Sequence, residues 1–182
     1  MLELKKGRPE DYDQRSVIEQ AVYDFLDNLN IEYDRLDHEP AYTMEICSEI
    51  DKSLGALICK NLFLCNRQKT DFYLLMMPAD KVFKTKELSK ALGVSRLSFG
   101  DADKMQELLG TTPGSASVMG LLNDKENKVR LIIDKDVLQE EYFGCHPCVN
   151  TSSLRISIKD LTDKILPPLN HSYTVIKLFG EE

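Results

Sequence analysis

The chain has 182 residues, 42% of them hydrophobic and 29% charged, which is typical of a globular protein large enough to fold without disulfides or metals. It contains no apolar run near the roughly 20 residues of a membrane helix, and no signal peptide is recognisable. We therefore expect one cytoplasmic domain over residues 1–182 and no membrane contact. The odd count of five cysteines indicates reduced thiols.

The net charge of −7 argues against a general nucleic-acid binder, but the charge is unevenly distributed. Residues 60–96 contain eight basic and three acidic side chains, a local net charge of +5. Such a segment can present a positive face to a phosphate backbone. A lysine-rich surface that only faces water explains the same pattern equally well.

The first part of the chain predicts a helix, a strand and a second helix. Apolar residues at helical spacing predict an amphipathic helix over residues 14–29. Residues 31–34 alternate apolar and polar side chains, as a half-buried strand does, and Leu36 can extend this strand. Thr43 is a candidate N-cap of a short helix that ends near residues 54–55.

The middle of the chain predicts a β-hairpin followed by two short helices. Residues 57–65 and 72–77 are rich in β-forming side chains and flank a polar turn. Residues 85–92 and 101–109 are each followed by a glycine, which commonly ends a helix.

The last third of the chain predicts mainly strands. They are expected over residues 115–122, 129–133, 153–158 and 173–178, with a short helix before the last one. Strands and short helices are interspersed without a regular alternation of strand and long helix. The pattern therefore favours an α+β fold over a doubly wound parallel sheet.

The first segment that can carry chemistry is the loop Gly110-Thr111-Thr112-Pro113-Gly114-Ser115. Its glycines allow a ligand to approach the backbone, and its proline restricts the local conformation. Such a loop can direct several N–H groups at one point, as an oxyanion requires, although an ordinary connecting loop has a similar composition. Neither a Walker-type Gly-Lys-Ser/Thr nor a Gly-x-Ser-x-Gly nucleophile motif is present here.

The second segment is the predicted strand over residues 57–65, where Lys60 and Asn61 interrupt an apolar run. A lysine in that position extends to water, finds a partner or lines a pocket. In a pocket it suits a phosphate, as a compact positive charge. On an edge strand it simply faces solvent.

The third segment surrounds His146, which Cys145 and Cys148 flank in a Cys-x-x-Cys spacing. A redox pair lacks the expected βαβ context, and a zinc site lacks a second close pair of ligands. His146 can instead line a cleft as a polar contact or a proton carrier. The fourth segment, residues 38–43, is explained on its own as a turn followed by the Thr43 cap.

Taken together, four ordered pieces resemble the YbaK/ProX superfamily of editing domains, which includes the inserted domain of bacterial prolyl-tRNA synthetase and its free-standing relatives. The pieces are His38-x-Pro40-x-x-Thr43, Cys59-Lys60-Asn61-Leu62-Phe63, Gly110-x-x-Pro113-Gly114-Ser115, and His146-Pro147 with Asn150-Thr151. The glycine-rich loop together with His-Pro is most similar to the ProX type, which deacylates alanyl-tRNA for proline. The two cysteines that flank the histidine depart from the family pattern.

The resemblance implies a mixed, barrel-like β-sheet surrounded by helices and an enzyme that needs no metal or other cofactor. Lys60 would contact a phosphate at the 3′ end of the tRNA, and Asn61 would help to place the terminal nucleotide. The loop from Gly110 to Ser115 would hold the ester carbonyl through backbone N–H groups. His146 would line the aminoacyl pocket. Thr43 and Asn150 belong to the matched pieces and are taken as further substrate-binding residues.

The expected function is trans-editing: hydrolysis of Ala-tRNA(Pro) with Pro-tRNA(Pro) spared, and tRNA and prolyl-tRNA synthetase as partners. A second site too small for proline can select alanine, because a missing methylene costs a synthetase only about 1–3 kcal/mol of discrimination. Three alternatives remain. The substrate can be Cys-tRNA(Pro) or another small aminoacyl-tRNA, the protein can be a non-catalytic sensor on the same fold, or Cys145 and Cys148 can carry a thiol function.

Overall fold

The computed structural model describes residues 2–41 and 43–180. Within these residues the chain forms nine strands, which all belong to one mixed sheet. The strands are β1 (Leu4–Lys6), β2 (Asp34–Asp37), β3 (Leu57–Cys65), β4 (Phe72–Pro78), β5 (Ser98–Phe99), β6 (Val129–Asp134), β7 (Tyr142–Cys145), β8 (Ser152–Ser157) and β9 (Tyr173–Ile176).

The helices connect these strands. The α-helices are α1 (Val17–Asn28), α2 (Met44–Leu54), α3 (Thr85–Leu92), α4 (Ala102–Leu109), α5 (Lys135–Leu138) and α6 (Ile158–Asp160). Two 3₁₀-helices cover Tyr12–Gln14 and Val118–Asn123, and α6 continues into a π-helical turn, Leu161–Ile165. No described helix is both long and apolar enough to cross a membrane.

The sheet combines parallel and antiparallel neighbours in the order β1-β2-β8-β7-β3-β4-β6-β9, with β5 beside β3. The pairs β3–β7, β4–β6 and β6–β9 are parallel, and the other pairs are antiparallel. Among the described residues, β1 and β9 do not pair with each other. The predicted α+β class with a mixed sheet is confirmed.

The predicted helices are confirmed. Their ends lie where capping residues in the sequence favour the start or the end of a helix. The Thr43 hydroxyl accepts a hydrogen bond from the Ile46 N–H and begins α2, which ends at Gly55 in the left-handed conformation. The Ser16 hydroxyl caps α1 in the same way. This cap explains why the α-helix begins at Val17, while residues 12–14 form a separate 3₁₀ turn.

The predicted hairpin is confirmed as β3 and β4, and β4 is buried along its whole length at the centre of the sheet. Because side chains alternate along a strand, β4 contributes to two cores. Leu74 and Met76 pack into the larger hydrophobic cluster on one face. Tyr73, Leu75 and Met77 pack into the smaller one on the other face.

The predicted strand over residues 115–122 is wrong, because this segment contains the 3₁₀-helix Val118–Asn123. The buried Ser117 hydroxyl accepts a hydrogen bond from the Met119 N–H and so favours a helical turn over an extended chain. Gly120 also lies so close to Leu109 that an added Cβ would be 3.1 Å from its backbone oxygen. Tertiary packing of this turn against α4 therefore overrides the β-forming composition.

Other boundaries differ because the deciding contacts are distant in sequence. The strand expected from residue 31 begins at Asp34, since the Ile31 N–H donates to the Leu26 carbonyl at the end of α1 and not to a neighbouring strand. The short strands β1 and β7 lie where no strand was expected. Strand β1 pairs with the distant β2, and β7 pairs in parallel with the distant β3 as well as with the nearby β8.

Candidate active site

A cavity of about 610 Å³ lies where six parts of the chain meet. They are the segment after β2, helix α2, strand β3, the turn after β4, the loop after α4 and the connection from β7 into β8. The described lining residues are His38, Pro40, Ala41, Cys47, Ile50, Asp51, Ile58, Ala79, Asp80, Pro113, Gly114, His146, Asn150 and Ser153. Apolar walls with a few convergent polar groups are typical of a small-ligand site.

His146 lies in the β7–β8 connection with one ring nitrogen held by the backbone. Its Nδ1–H donates to the Ser152 carbonyl oxygen over 2.7 Å, so Nε2 carries the lone pair of the neutral ring. Burial lowers the pKa of His146, and His38 lowers it further, while the Ser152 carbonyl opposes the shift. The neutral form of His146 is therefore favoured at pH 7.

A second histidine, His38, lies beside the first. Its Nδ1 donates to the Glu39 carbonyl oxygen over 2.8 Å, and its Nε2 is 2.9 Å from the Ser153 hydroxyl oxygen. The centroids of the His38 and His146 rings are 6.3 Å apart. The sequence pattern assigned His38 only to a turn, so this pairing was missed. The His-x-Pro spacing of the family motif was the one available signal.

A polar network behind the two histidines holds the β8 side of the cavity. The Ser152 hydroxyl donates to Asp37 over 2.7 Å, and Asp37 also receives hydrogen bonds from Arg15 and Arg35. Burial raises the pKa of Asp37, but the hydrogen bonds from Ser152, Arg15 and Arg35 outweigh burial and hold it below its ordinary value. Arg15 in turn contacts the buried Glu19 at 3.0 Å. The charged Asp37 is therefore linked to His146 through Ser152, whose hydroxyl donates to Asp37 and whose carbonyl accepts from His146.

The glycine-rich loop has an anchored base and an exposed tip. At the base, Gly110 ends α4 with a φ of 67°, and Thr111 is buried. The Thr112 N–H donates to the Ser115 hydroxyl at 3.1 Å, and the Ser115 N–H donates to the Thr112 carbonyl at 2.9 Å. Both of these N–H groups are therefore used inside the loop.

The tip of the loop consists of Pro113 and Gly114, and these two residues line the cavity. Gly114 has a φ of 90°, which favours glycine, and an added Cβ would meet no atom within 4 Å. Proline has no N–H, and within the described residues the Gly114 N–H donates no hydrogen bond. The geometry leaves the Gly114 N–H as the tip's donor for a ligand oxygen.

Lys60 lies beside the cavity on β3, two residues from the lining residue Ile58 and on the same face of the strand. Its Nζ donates to the Lys81 carbonyl oxygen. Burial lowers the pKa of Lys60, and the nearby Asp80 carboxylate opposes this shift. Lys60 is thus a partly buried cation next to a cavity wall, held by a neutral acceptor.

Asn61 points to the opposite face of β3, on the side of the core residues Cys59 and Phe63. Its Nδ2 is 3.4 Å from the Cys59 carbonyl, and its Oδ1 is buried without a hydrogen-bond partner among the described residues. Thr43 is exposed and caps α2. Of the predicted site residues, the cavity lining therefore gathers Pro113, Gly114, His146 and Asn150, and Lys60 is adjacent to it.

Two carboxylates at the cavity, Asp51 and Asp80, were not singled out in the sequence. Burial raises the pKa of Asp51 above its ordinary value. Nothing in the local pattern around either residue distinguishes it from a surface acid, so only the fold reveals their position.

Cys145 and Cys148 are buried members of the larger hydrophobic cluster. Burial raises the pKa of each thiol to about 12, so neither is a ready nucleophile at neutral pH. No group of three or more His, Cys, Asp or Glu side chains in the described part of the chain is arranged to hold a metal ion. The two thiols are accounted for as core residues.

Comparison with solved structures first establishes the fold. The fold matches a crystal structure described provisionally as a trans-editing enzyme for prolyl-tRNA synthetase, with a TM-score of 0.66 and 13% identity over 90% of this chain and 99% of the other. At that identity the match establishes the fold alone. The chain and that structure therefore share one α+β fold.

Comparison of sequences then establishes the family. Residues 38–164 match the sequence model of the aminoacyl-tRNA editing domain, and the chain belongs to that family. It is 33% identical to the prolyl-tRNA editing protein ProX of Acetoanaerobium sticklandii over 87% of this chain and 96% of the relative. It is 26% identical to the prolyl-tRNA synthetase associated domain-containing protein 1 of Danio rerio over 87% and 86%. The predicted family and the predicted class of enzyme, an aminoacyl-tRNA hydrolase, are confirmed.

Proposed function

We propose that this chain, as one editing domain, hydrolyses the ester of Ala-tRNA(Pro) in trans and spares Pro-tRNA(Pro). The observation that carries the proposal is the cavity in which the Pro113–Gly114 tip and His146 meet, with Lys60 beside it. The similarity to the prolyl-tRNA editing protein ProX supports proline tRNA as the carrier.

The reaction needs orientation and charge stabilisation more than a strong nucleophile, because an aminoacyl ester is already activated. Water adds to the ester carbonyl carbon, the carbon–oxygen bond to the 3′ oxygen breaks, and the products are free alanine and the 3′-hydroxyl. The Gly114 N–H stabilises the negative charge that develops on the carbonyl oxygen. The neighbouring 2′-hydroxyl of the terminal adenosine assists the attacking water.

Lys60 would bind a phosphate of the 3′ end. Its present acceptor is the neutral Lys81 carbonyl, and an anionic phosphate forms a stronger, charge-assisted hydrogen bond with an ammonium group. Asn61 would contribute to placing the terminal nucleotide only after its side chain leaves the core-facing side of β3. Asn150 would act at the cavity wall, and Thr43, the N-cap of α2, would act from outside the lining.

The acyl part of the substrate carries one positive charge, on its α-amino group. Asp51 and Asp80 line the cavity and supply the opposite charge. His146 closes the aminoacyl pocket, and its neutral ring adds no repulsion to the ammonium group. The cavity of about 610 Å³ would hold the terminal nucleotide as well, and the part of it beside His146 would admit alanine and exclude proline by size.

We propose water as the nucleophile, and Ser153, whose hydroxyl lines the cavity 2.9 Å from His38 Nε2, is the side chain to test against it. The Ser115 hydroxyl is engaged with Thr112, and the Ser117 hydroxyl caps the 3₁₀-helix that begins at Val118. Cys47 is the cavity's one thiol among the described lining residues. We expect Cys47→Ala to retain the wild-type rate within about twofold, and the trapping of an acyl-thioester would instead establish covalent catalysis.

The direct test is a deacylation assay with a matched panel: Ala-tRNA(Pro), Cys-tRNA(Pro) and Pro-tRNA(Pro) on the same transcript. We expect release of alanine with Pro-tRNA(Pro) spared. Preferential release of cysteine would assign the chain to the alternative substrate. Equal hydrolysis of all three, or of none, would reject the proposal.

Two further measurements address the remaining alternatives. Tight binding of aminoacyl-tRNA without any turnover would identify a sensor. Addition of prolyl-tRNA synthetase tests the proposed partner, since a working complex should raise the rate at limiting tRNA concentration. An unchanged rate would indicate that the domain acts alone.

A further inference from the structure

An aromatic pair, the exposed Phe99 and the partly buried Phe83, lies on the face of the sheet next to α3. Phe83 and Phe99 form an edge-to-face pair with ring centroids 5.8 Å apart. Phe99 keeps 60% of its surface exposed, although β5 and β3 pair directly beside it. An exposed aromatic ring beside a second ring offers a flat apolar surface on which a ligand can stack.

Four cations lie in the same stretch of chain as this aromatic pair, residues 83–99. Lys84 follows Phe83 directly, Lys86 and Lys90 lie one turn apart on α3, and Arg96 precedes β5. All four are exposed and, within the described residues, none forms an ion pair. Other cations of the same basic segment are neutralised, such as Lys69 by Asp101 at 3.0 Å and Lys81 by Asp134 at 2.7 Å.

Lys90 lies in the last turn of α3, where a cation is favourable, but Lys86 near the start of the helix has no such role. Like charges at i and i+4, as in Lys86 and Lys90, weakly oppose helix formation. The one acid on α3, Glu87, is already engaged, because its carboxylate accepts the Phe179 N–H at 2.6 Å. The cations are therefore left to face an anionic partner.

This surface continues directly from the cavity. Ile58, Lys60 and Leu62 share one face of β3, and Leu62 packs in the same cluster as Phe83. At the rise of a β-strand, Leu62 is about 13 Å from the cavity residue Ile58, with Lys60 halfway. The chain also leads from Asp80 at the cavity to Phe83 within three residues.

We propose that Phe83, Lys84, Lys86, Lys90, Arg96 and Phe99, here called the α3 platform, bind the single-stranded 3′ end of the tRNA while its acylated terminus occupies the cavity. Aromatic side chains stack with unpaired bases regardless of sequence, and flanking cations hold the phosphates. This inference rests on the proposed function for the identity of the ligand. It adds the surface that grips the strand outside the reacting site.

The stacking part is tested with uncharged tRNA, so that binding is measured without any hydrolysis. We expect Phe99→Ala to weaken the affinity by between about 5- and 100-fold, the range found for the loss of one stacked base. Phe99→Trp should retain the affinity and Phe99→Leu should not, because leucine keeps the apolar surface but cannot stack. Equal affinity of all three variants and the wild type would overturn the proposal.

The same variants are then measured on tRNA that lacks its last four nucleotides. Removal of this single strand should weaken wild-type binding by about tenfold or more, and should have little further effect on Phe99→Ala. Independent, additive effects would place the 3′ end elsewhere on the protein.

The charge part is tested with the double variant Lys86→Gln and Lys90→Gln. Each lost contact with a single-stranded phosphate should reduce the slope of log affinity against log salt by about 0.7. Lys125→Gln with Lys159→Gln is the matched control, since both lysines are exposed on other elements. Equal slopes in the two double variants would overturn the role of α3 in tRNA binding. This is also the result expected if the surface binds a protein instead.

A minimal substrate separates this inference from the proposed function. The platform variants should hydrolyse alanine esterified to adenosine alone at the wild-type rate, because this substrate does not reach beyond the cavity. Wild-type failure to hydrolyse any alanyl ester would reject the proposed function, while the tRNA affinities would still test the platform.

Discussion

The cavity and the α3 platform are neighbouring surfaces that are built in opposite ways. Six separate parts of the chain, from His38 to Ser153, contribute side chains to the cavity. The platform comes from one stretch, residues 83–99. The cavity therefore depends on long-range folding for its whole lining, whereas the residues of the proposed platform are neighbours in sequence and need only β3 to bring Phe83 and Phe99 together.

The two regions also differ in how their polar groups are supported. Behind the cavity, Asp37 receives hydrogen bonds from Ser152, Arg15 and Arg35. On the platform, Lys84 and Lys86 are exposed, with no ion pair among the described residues. Substitutions behind the cavity should therefore reduce the stability of the fold, and substitutions on the platform should reduce only the affinity for tRNA.

The largest effect is expected for Asp37→Asn. This change leaves the buried Arg35 and the largely buried Arg15 without one of their anionic partners, and we expect the free energy of unfolding to fall by about 3 kcal/mol. Urea unfolding measures it. Asp24→Asn is the control, because the Arg8–Asp24 pair is exposed and should cost less than about 1 kcal/mol. Equal losses of unfolding free energy in the two variants would show that the hydrogen bonds of Asp37 stabilise the fold no more than a surface ion pair does.

The next effect is expected for Lys60→Ala in the deacylation assay. Loss of a charged hydrogen bond to a phosphate is worth about 1.5–3 kcal/mol, so kcat/KM should fall by about 10- to 100-fold. Lys52→Ala, an exposed lysine on α2, should leave the rate unchanged. If both variants retain wild-type kcat/KM, Lys60 has no part in the reaction.

A smaller effect separates the loop tip from an ordinary turn. Gly114→Ala and Gly7→Ala both place a side chain at positive φ without any contact within 4 Å, so each should reduce stability by about 1 kcal/mol. Only Gly114→Ala should also slow deacylation, because it disturbs the donor to the ester oxygen. Equal deacylation rates of the two variants would show that the loop tip has no role in the reaction.

The smallest effect is expected in the pH dependence of stability. Because the pKa of His146 is lowered by folding, the unfolded chain binds a proton more readily, and stability falls as pH drops below about 6.5, the ordinary histidine value. Asparagine can still donate to the Ser152 carbonyl but does not titrate. His146→Asn should therefore lose less stability than the wild type between pH 7.5 and 5, measured by urea unfolding. An identical loss would contradict the assigned shift.

Local signals predicted much of the fold but only part of the site. Helix α2 was predictable because Thr43 and Gly55 mark its two ends within one short segment. The error over residues 115–122 arose because the Ser117 cap and the packing of Gly120 on Leu109 outweigh composition. Side chains alternate along β3, so Lys60 and Asn61 lie on opposite faces. This could have been predicted from their neighbouring positions in the sequence.

By itself, the sequence determined the family, the α+β class and the presence of a basic segment, because motif order, residue periodicity and charge are properties of neighbouring residues. Only the tertiary structure decided that His38 lies beside His146, that Asp51 and Asp80 reach the cavity, and which of the lysines remain exposed and unpaired within the described chain. The physical reason is that these contacts join segments whose approach depends on the packing of the whole sheet.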